Sequence, residues 1–310
     1  MKPTSIIFLV IALLLGIGGY TCMKIGQSQA VSMGIDLLEG TAAKEEDYIF
    51  SYDYSDDEIG KIAINLKDAD VNIIGGSKKP YVELVNFAEG MYEFSASNRN
   101  ITLSNNSDFS QIADMTSLVF NFKGLRSLVN YYNIRGREKT VNIYITDDCP
   151  VKIVECKLSS GNVHISNNSS QTDYNVTIEN GDLLLEDITT GSAANISIIN
   201  GDLTFDNCSV SNVSIEIDKG NAELITSYAC TLTAKLGTGD FSMGFRDELA
   251  YVNLNLFSGL GNVKLNGESI GGFYEVSDLP TSTKFDISIG KGDISMNSNM
   301  RSESIDEIED

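Results

Sequence analysis

The chain has 310 residues, with 22 Lys and Arg against 43 Asp and Glu, so its formal net charge is −21 at pH 7. It contains no Trp, one His and four Pro, while Gly, Ser, Asn and Asp are common, a composition typical of turn-rich β proteins. The acidic charge argues against nucleic acid as a partner, because the phosphates would be repelled.

The first part of the chain is apolar. Residues 5–23, SIIFLVIALLLGIGGYTCM, carry no charge, and as a helix they would rise about 28 Å, close to the hydrocarbon thickness of a bilayer. A cleaved signal peptide, a lipoprotein signal at Cys22 and an uncleaved anchor are all open. Tyr20 and Thr21 are large for a lipoprotein site, and only SQA at 28–30 resembles a cleavage site, so we favour a transmembrane anchor at 1–23.

This anchor implies a single-pass protein of the cell membrane, with the membrane itself as one partner. The large acidic, Lys-poor remainder resembles a translocated domain. We therefore expect the amino terminus in the cytoplasm and the C-terminal domain outside the cell.

A polar linker or stalk is predicted at 24–46, and short runs of β-branched and aromatic residues begin at Tyr48. They predict a β domain at 47–300, followed by an acidic tail at 301–310. Residues 108–135 break the pattern with apolar residues at steps of three and four, which indicates an inserted helix. That helix would pack on the β body or, alternatively, lie on an anionic membrane surface.

A repeat occupies residues 140–297. Each copy centres on Gly-Asp or Gly-Asn, as in SIINGDLTF, at a period of roughly 20 residues, which is typical of repeat architectures. KDADVNII at 67–74 is a degenerate copy, with Ala69 in the glycine position. The glycines, interpreted as structural turns, are Gly161, Gly181, Gly201, Gly220, Gly239, Gly261 and Gly292.

Apolar residues alternate with polar ones on both sides of each glycine, as they do in strands buried on one face. In one copy the apolar positions are Ile196, Ile198, Leu203 and Phe205; near Gly261 we assign them to Leu254 and Leu256. Two arrangements fit: a meander of hairpins, or a parallel β-solenoid in which each coil stacks on the last. We favour the solenoid, because every copy buries the same positions and no other segment is long enough to cover a meander.

The stretch VNIYITDDCPVKIVECKLSSGNVHI, followed by VTIENGDLLL and ISIINGDLTF, resembles a family of bacterial cell-envelope domains of unknown function called putative adhesins. The resemblance covers about 48–300 and is carried by the serial array. It implies an all-β solenoid on or outside a bacterial membrane, without known catalysis. Some members of this family are connected with envelope stress signalling.

No catalytic or cofactor-binding residues are predicted. His164, the only histidine, lies between Val163 and Ile165 and should face outward as a surface residue; no Gly-x-Ser-x-Gly elbow accompanies it. The best metal candidate is a column of carboxylates about 4.8 Å apart that could bind Ca²⁺. Its members are Asp182, Asp202, Asp240 and Asp293.

A structural interpretation of this column is favoured over the calcium site. Asn162, Asn221 and Asn262 interrupt the carboxylates, and the calcium-binding nonapeptide of other β-helices is absent. In this interpretation glycine supplies a positive φ, and the Asp or Asn side chain bonds back to its own turn.

The cysteines do not form a metal motif. Cys149, Cys156, Cys208 and Cys230 contain no C-x-x-C pair. Cys156 and Cys208 should be buried thiols. The disulfide connectivity is not set by spacing, and a Cys208–Cys230 bond between adjacent coils is one possibility.

The sequence therefore leads to a non-enzymatic, membrane-anchored extracellular solenoid. It would bind an envelope or cell-surface protein or glycan, or take part in stress sensing or scaffolding. The alternative is a polysaccharide-acting β-helix enzyme, although such enzymes usually carry Asp clustered with Arg or Lys and aromatic platforms. Basic residues are sparse in these coils.

Overall fold

A computed structural model describes residues 19–21, 25, 48–54, 59–87, 91–105, 136–245 and 251–298. The chain divides into two units, Met1–Asp47 and Tyr48–Asp310. In the part of the chain that is described, no helix has the length and apolar character needed to cross a bilayer. The predicted anchor and linker lie almost entirely outside the described residues, and the predicted helix at 108–135 and the tail lie wholly outside them.

Strands are the dominant element in the described part of the second unit. In chain order they are β1 (Ile49–Asp53), β2 (Ile59–Asp68), β3 (Asp70–Ile74), β4 (Tyr81–Val85), β5 (Tyr92–Ser97), β6 (Asn100–Asn105), β7 (Thr140–Tyr144), β8 (Val151–Ser160), β9 (Val163–Ser166), β10 (Asp173–Asn180), β11 (Leu183–Glu186), β12 (Thr189–Asn200), β13 (Leu203–Asp206), β14 (Ser209–Lys219), β15 (Ala222–Ile225), β16 (Tyr228–Thr238), β17 (Phe241–Phe245), β18 (Asn253–Leu260), β19 (Val263–Leu265), β20 (Glu268–Gly271), β21 (Phe273–Val276), β22 (Lys284–Lys291) and β23 (Ile294–Ser298).

Two large sheets are formed. One has the order β1-β4-β7-β3-β9-β11-β13-β15-β17-β23-β19-β20, and the other has the order β21-β18-β22-β16-β14-β12-β10-β8-β2-β6-β5. Each repeat gives one strand to each sheet, and equivalent strands pair in parallel, with Ile178 opposite Leu158 on one side and Ile198 on the other. This pairing excludes the hairpin meander and confirms a nearly all-β fold with the parallel sheets of a solenoid-like stack.

The coils do not stack in sequence order, which corrects the expectation that each lies on the last. The final coil, β22 and β23, lies between the coil of β16 and β17 and the coil of β18 and β19. The insertion after Gly261 explains the change: it forms β20 and β21, which pair antiparallel with β19 and β18 and cover their outer edges. The remaining chain then pairs with their inner edges.

The same inversion occurs at the other end of the stack. The coil of β2 and β3 lies between β8 and β9 on one side and β6 and β7 on the other. Antiparallel strands β1, β4 and β5 finish this end. Aromatic rings on the two edge strands meet there, with the centroids of Tyr52 and Phe94 4.1 Å apart.

The interior is a single apolar core shared by both sheets. Ile196, Ile198, Leu203 and Phe205 are each at most 4% exposed, which confirms the predicted alternation. Burying such side chains contributes about 1.5–3 kcal/mol each relative to exposure, and the identical positions recur in successive coils, so the core continues along the stack.

The coil of Gly261 corrects one assignment. Its register is not shifted: Leu256 pairs with Ile287, and the next inward position is filled by Ser258, opposite Ile289. Ser258 is buried, and its hydroxyl donates a 2.7 Å hydrogen bond to the carbonyl of Gly292. A satisfied hydroxyl can therefore replace an aliphatic side chain at this position.

Candidate functional site

The glycine corners combine two backbone constraints. Gly161, Gly181, Gly201, Gly220, Gly239 and Gly292 have φ between +126° and +148°, a range that residues with a side chain rarely adopt. The glycines also stack on one another: a Cβ on Gly201 would lie 1.9 Å from the carbonyl oxygen of Gly181. Gly261 lacks the positive φ, yet its Cβ would lie 2.0 Å from the oxygen of Gly292.

The residue after each glycine belongs to a continuous chain of hydrogen bonds, which we call the Asx ladder. The Oδ1 atom of every member but the last, Asn262, accepts from the backbone N–H of the equivalent residue in the next coil, at 2.7–2.9 Å. In spatial order its members are Asp70, Asn162, Asp182, Asp202, Asn221, Asp240, Asp293 and Asn262.

The ladder explains why Asp and Asn alternate without a pattern. Both side chains offer a carbonyl-type oxygen as acceptor, and nothing in the contact requires a charge. The side chains were expected to bond within their own turn, but they bond across to the neighbouring coil. The reason is geometric: stacked coils bring each corner within hydrogen-bond distance of the next.

The calcium column falls on this ladder. Asp182 and Asp202 are neighbours, as are Asp240 and Asp293, with Asn221 between the two pairs. Among the residues that the structure describes, no group of three or more His, Cys, Asp or Glu side chains is arranged to hold a metal ion. Calcium binding here remains a prediction for experiment.

One ladder carboxylate has a cation beside it. Lys264 Nζ lies 2.7 Å from Asp293 Oδ2. The hydrogen bond from Lys264 lowers the pKa of Asp293, and that same bond raises the pKa of Lys264. Both groups face solvent, so salt screens the pair.

His164 lies half-exposed on the outer face of β9, as its position between two buried residues predicts. Its Nε2 atom is 3.1 Å from a Glu186 carboxylate oxygen on the next coil. An exposed pair of this kind is an ordinary cross-strand contact.

The four cysteines of the β unit are free thiols. Cys156 and Cys208 are buried as predicted, and burial raises the pKa of their thiols to about 12 and about 11, respectively. Cys230 is half-exposed, and its sulfur is 3.6 Å from the Tyr228 hydroxyl. The structure therefore does not contain the Cys208–Cys230 disulfide.

A second corner was missed by the sequence reasoning. Six residues after each of four consecutive glycines, the backbone turns through the left-handed region at φ of +50° to +55°. Asn and Asp are the side-chain residues that tolerate this conformation best, and their recurrence was the available signal. The members of this corner row are Asn167, Asp187, Asn207 and Thr226.

Beside this corner lies a groove of about 480 Å³. Three corner residues line it, together with the residue eight positions after each glycine and the buried Cys208. We call those four residues, one per coil, the hydroxyl row: Ser169, Thr189, Ser209 and Tyr228. Because its lining repeats from coil to coil, we take this groove as the candidate site.

Comparison with known proteins gives a family. The sequence model of the Toastrack DUF4097 family matches residues 59–304, which covers the whole array of coils. No curated protein matches the sequence. The resemblance inferred from the serial Gly-Asp copies is thereby confirmed.

The solved structures that resemble this chain share little of its sequence. A "putative cell adhesion protein" from Clostridium sporogenes is 13% identical to this chain. The alignment covers 81% of this chain and 98% of that protein, with a TM-score of 0.35. A "putative adhesin" from Bacteroides fragilis is 13% identical, with coverages of 81% and 96% and a TM-score of 0.42. A "putative lipid binding protein" from Parabacteroides distasonis is 9% identical, with coverages of 81% and 96% and a TM-score of 0.26. Similarity at this level says nothing about what this chain binds.

Proposed function

This chain belongs to the Toastrack DUF4097 family, and from that premise we propose that it is a non-enzymatic, adhesin-like binding protein of the bacterial cell envelope. Its solenoid-like domain would present a repeated outer surface to a partner. Scaffolding or sensing of envelope stress would use the same surface. We further propose that residues 1–23 anchor the protein in the cell membrane and that the C-terminal domain is extracellular.

The observation that carries this proposal is the use of the Asp and Asn residues in the repeat. Each Asx ladder side chain except that of Asn262 accepts a hydrogen bond from the backbone of the next coil, so this repeated polar group serves the architecture. The repeats thus supply a stiff body, and the residues that vary from coil to coil on its outside are left for recognition.

The net charge narrows the class of partner. A net charge of −21 keeps the protein soluble and separate from other acidic surfaces. It also disfavours nucleic acid as a partner. A partner surface that is neutral or basic would meet no such repulsion.

Cross-linking from intact cells tests the proposal. The full chain is expressed at native level, cross-linked, and recovered with whatever it contacts. Leu203→Asp is the matched control, because a charge at a position that is 1% exposed should unfold the domain while leaving the remaining sequence unchanged. We expect an envelope component to be recovered with the native chain and lost with the variant.

Two results would contradict the proposal. Equal recovery of the same components by both chains would show that the folded surface plays no part. Cleavage of envelope glycans by the purified full chain would replace binding by the alternative, a polysaccharide-acting enzyme. Protease added to intact cells tests the location separately, since an extracellular domain should be digested without lysis.

A further inference from the structure

We propose that the groove at the second corner binds a neutral, linear carbohydrate chain lying across successive coils. This inference rests on the proposed binding function and gives it a site and a ligand class. It concerns the corner row and the hydroxyl row, not the Asx ladder on the other side of each coil.

The lining has the chemistry of a sugar site. Ser, Thr and Tyr hydroxyls both donate and accept hydrogen bonds, as sugar hydroxyls do, while Asn207 adds an amide and Asp187 a carboxylate. The half-exposed ring of Tyr228 supplies an apolar face beside a polar tip. A small apolar ligand would instead need a mostly hydrophobic lining.

The charge selects a neutral ligand. No Lys or Arg lines the groove, and Asp187 is exposed within it. A uronate, sulfate or phosphate group would meet this carboxylate with no cation to offset the repulsion, in a protein whose net charge is −21. Neutral hydroxyls and acetamido groups meet no such cost.

The spacing selects a chain rather than a single sugar. Ser169, Thr189 and Ser209 occupy the same place in three successive coils, and Tyr228 occupies it in a fourth. Paired strands lie about 4.8 Å apart, so the four side chains repeat at about that interval along the stack. Only a ligand with its own repeating polar groups can meet all of them.

The groove is also preorganised. The Asn207 amide nitrogen donates a 2.6 Å hydrogen bond to Asp187 Oδ1, which fixes both side chains. Thr226 is the one β-branched residue among the described residues with positive φ. A conformation that costs energy for such a side chain is retained at the edge of the groove, as is common at binding sites.

Binding of the purified full chain to immobilised oligosaccharides tests the inference. The probes are hexasaccharides of β-1,4-linked glucose, of β-1,4-linked N-acetylglucosamine and of α-1,6-linked mannose, with glucose and a galacturonate hexasaccharide as comparisons. We expect a neutral hexasaccharide to bind at least tenfold more tightly than glucose and than the galacturonate chain.

Thr189→Arg is the blocking variant, because Thr189 is exposed in the groove and an arginine there would fill it and pair with Asp187. Thr177→Arg is the matched control: it changes another exposed strand threonine on the previous coil, which does not line the groove. We expect at least a tenfold loss of affinity for the first and less than a twofold change for the second. Ser169→Arg repeats the test should Thr189→Arg fail to fold.

The inference is overturned if no neutral hexasaccharide binds, if the galacturonate chain binds best, or if the groove variants and the control bind equally. Its failure is separable from that of the proposed function. Recovery of an envelope protein by cross-linking, without glycan binding, would leave the binding function standing and remove the groove as a glycan site. Absence of both would remove both.

Discussion

Asp202 Oδ1 accepts a 2.7 Å hydrogen bond from the backbone N–H of Asn221, the equivalent residue of the next coil. The contact joins two repeats and uses an oxygen that Asp and Asn have in common. It turns a residue that looks like a metal ligand into part of the architecture.

Replacing Asp202 tests this role. Asp202→Asn keeps the acceptor and should change the free energy of unfolding by less than about 0.5 kcal/mol. Asp202→Ala removes it and leaves the Asn221 N–H without its partner, which should cost about 1 kcal/mol. Urea denaturation of the three proteins measures the difference.

The calcium hypothesis predicts a different outcome for the same variants. If the carboxylates bind Ca²⁺, the ion should raise the melting temperature of the native protein by mass action, and Asp202→Asn should reduce that rise. If the ladder is structural, millimolar Ca²⁺ should leave both melting curves unchanged. Mg²⁺ at the same concentration controls for ionic strength.

The repeat could be predicted from sequence because its causes are local. Alternation around each glycine identified Leu203 and Phe205 as core residues, and both are 1% exposed. The order of the coils could not be predicted this way. Ile287 packs between Ala234 and Leu256, and nothing in the local pattern shows that its coil enters between two earlier ones.

The candidate site could not be predicted from the sequence, for a different reason. The glycine marks only one corner of each coil, and the second corner carries Asp187, Asn207 and Thr226, whose common feature is a backbone conformation. Thr226 hides the pattern, because β-branched residues rarely take a positive φ. The groove arises from side chains that are about 20 residues apart and become neighbours only through stacking.

Glycine corners allow steric and conformational costs to be separated. Gly201→Ala should be destabilised by both the positive φ and the contact with the Gly181 carbonyl, by about 3 kcal/mol or more in total. Gly267 has φ +84° and open space around it, so Gly267→Ala should be destabilised by the backbone conformation alone, by about 1 kcal/mol. Gly261→Ala should be destabilised by steric contact alone, because its Cβ would meet the Gly292 carbonyl and the Ser258 hydroxyl.

Thermal unfolding of these variants gives the order of cost. The Gly201 variant should be the least stable of the three. Equal melting temperatures for Gly201→Ala and Gly267→Ala would mean that the stacked carbonyl is not a constraint, contrary to the geometry.

Thr226 offers a stabilising change. At φ +50° a β-branched side chain is unfavourable, whereas Asn tolerates the conformation at the equivalent Asn207. Thr226→Asn should raise the free energy of unfolding by about 1 kcal/mol, or about 2–4 °C in melting temperature for a domain of this size. The reciprocal Asn207→Thr should lower it, since it also removes the bond to Asp187. A Thr226→Asn protein less stable than the native one would refute this account.

The four thiols of the β unit should differ in their reactivity. Burial raises the pKa of Cys156 to about 12 and that of Cys208 to about 11, so neither should react with a disulfide reagent in the folded protein at pH 8. Half-exposed Cys230 should react first, and Cys230→Ser should remove this phase. Cys22 is replaced by Ser in every sample. If the fast phase is absent before the protein is reduced and present afterwards, the result would indicate a Cys208–Cys230 bond.

The same thiols contribute to stability at high pH with a defined sign. An unfolded cysteine ionises near pH 8.5, whereas folded Cys156 holds its proton to about pH 12. The unfolded state therefore loses protons first, and stability should fall as pH rises through that window. Cys156→Ala should weaken this fall, measured by urea denaturation between pH 8 and pH 10.5.

The inserted last coil makes the carboxyl end of the domain essential. A chain stopped before Lys284 loses β22 and β23. Strand β16 then keeps β14 but loses its other parallel partner, β18 loses its parallel partner, and Ala234 and Leu256 lose Ile287. We expect the shortened protein to aggregate or to unfold without a cooperative transition. In a serial stack the same deletion would remove only an end coil, and the remainder would keep a β-type circular dichroism spectrum and a melting temperature near that of the native chain. Adding a peptide of residues 284–298 during refolding separates the alternatives further. If the deletion leaves a gap between two coils, the peptide should fill that gap, and the shortened protein should again unfold cooperatively.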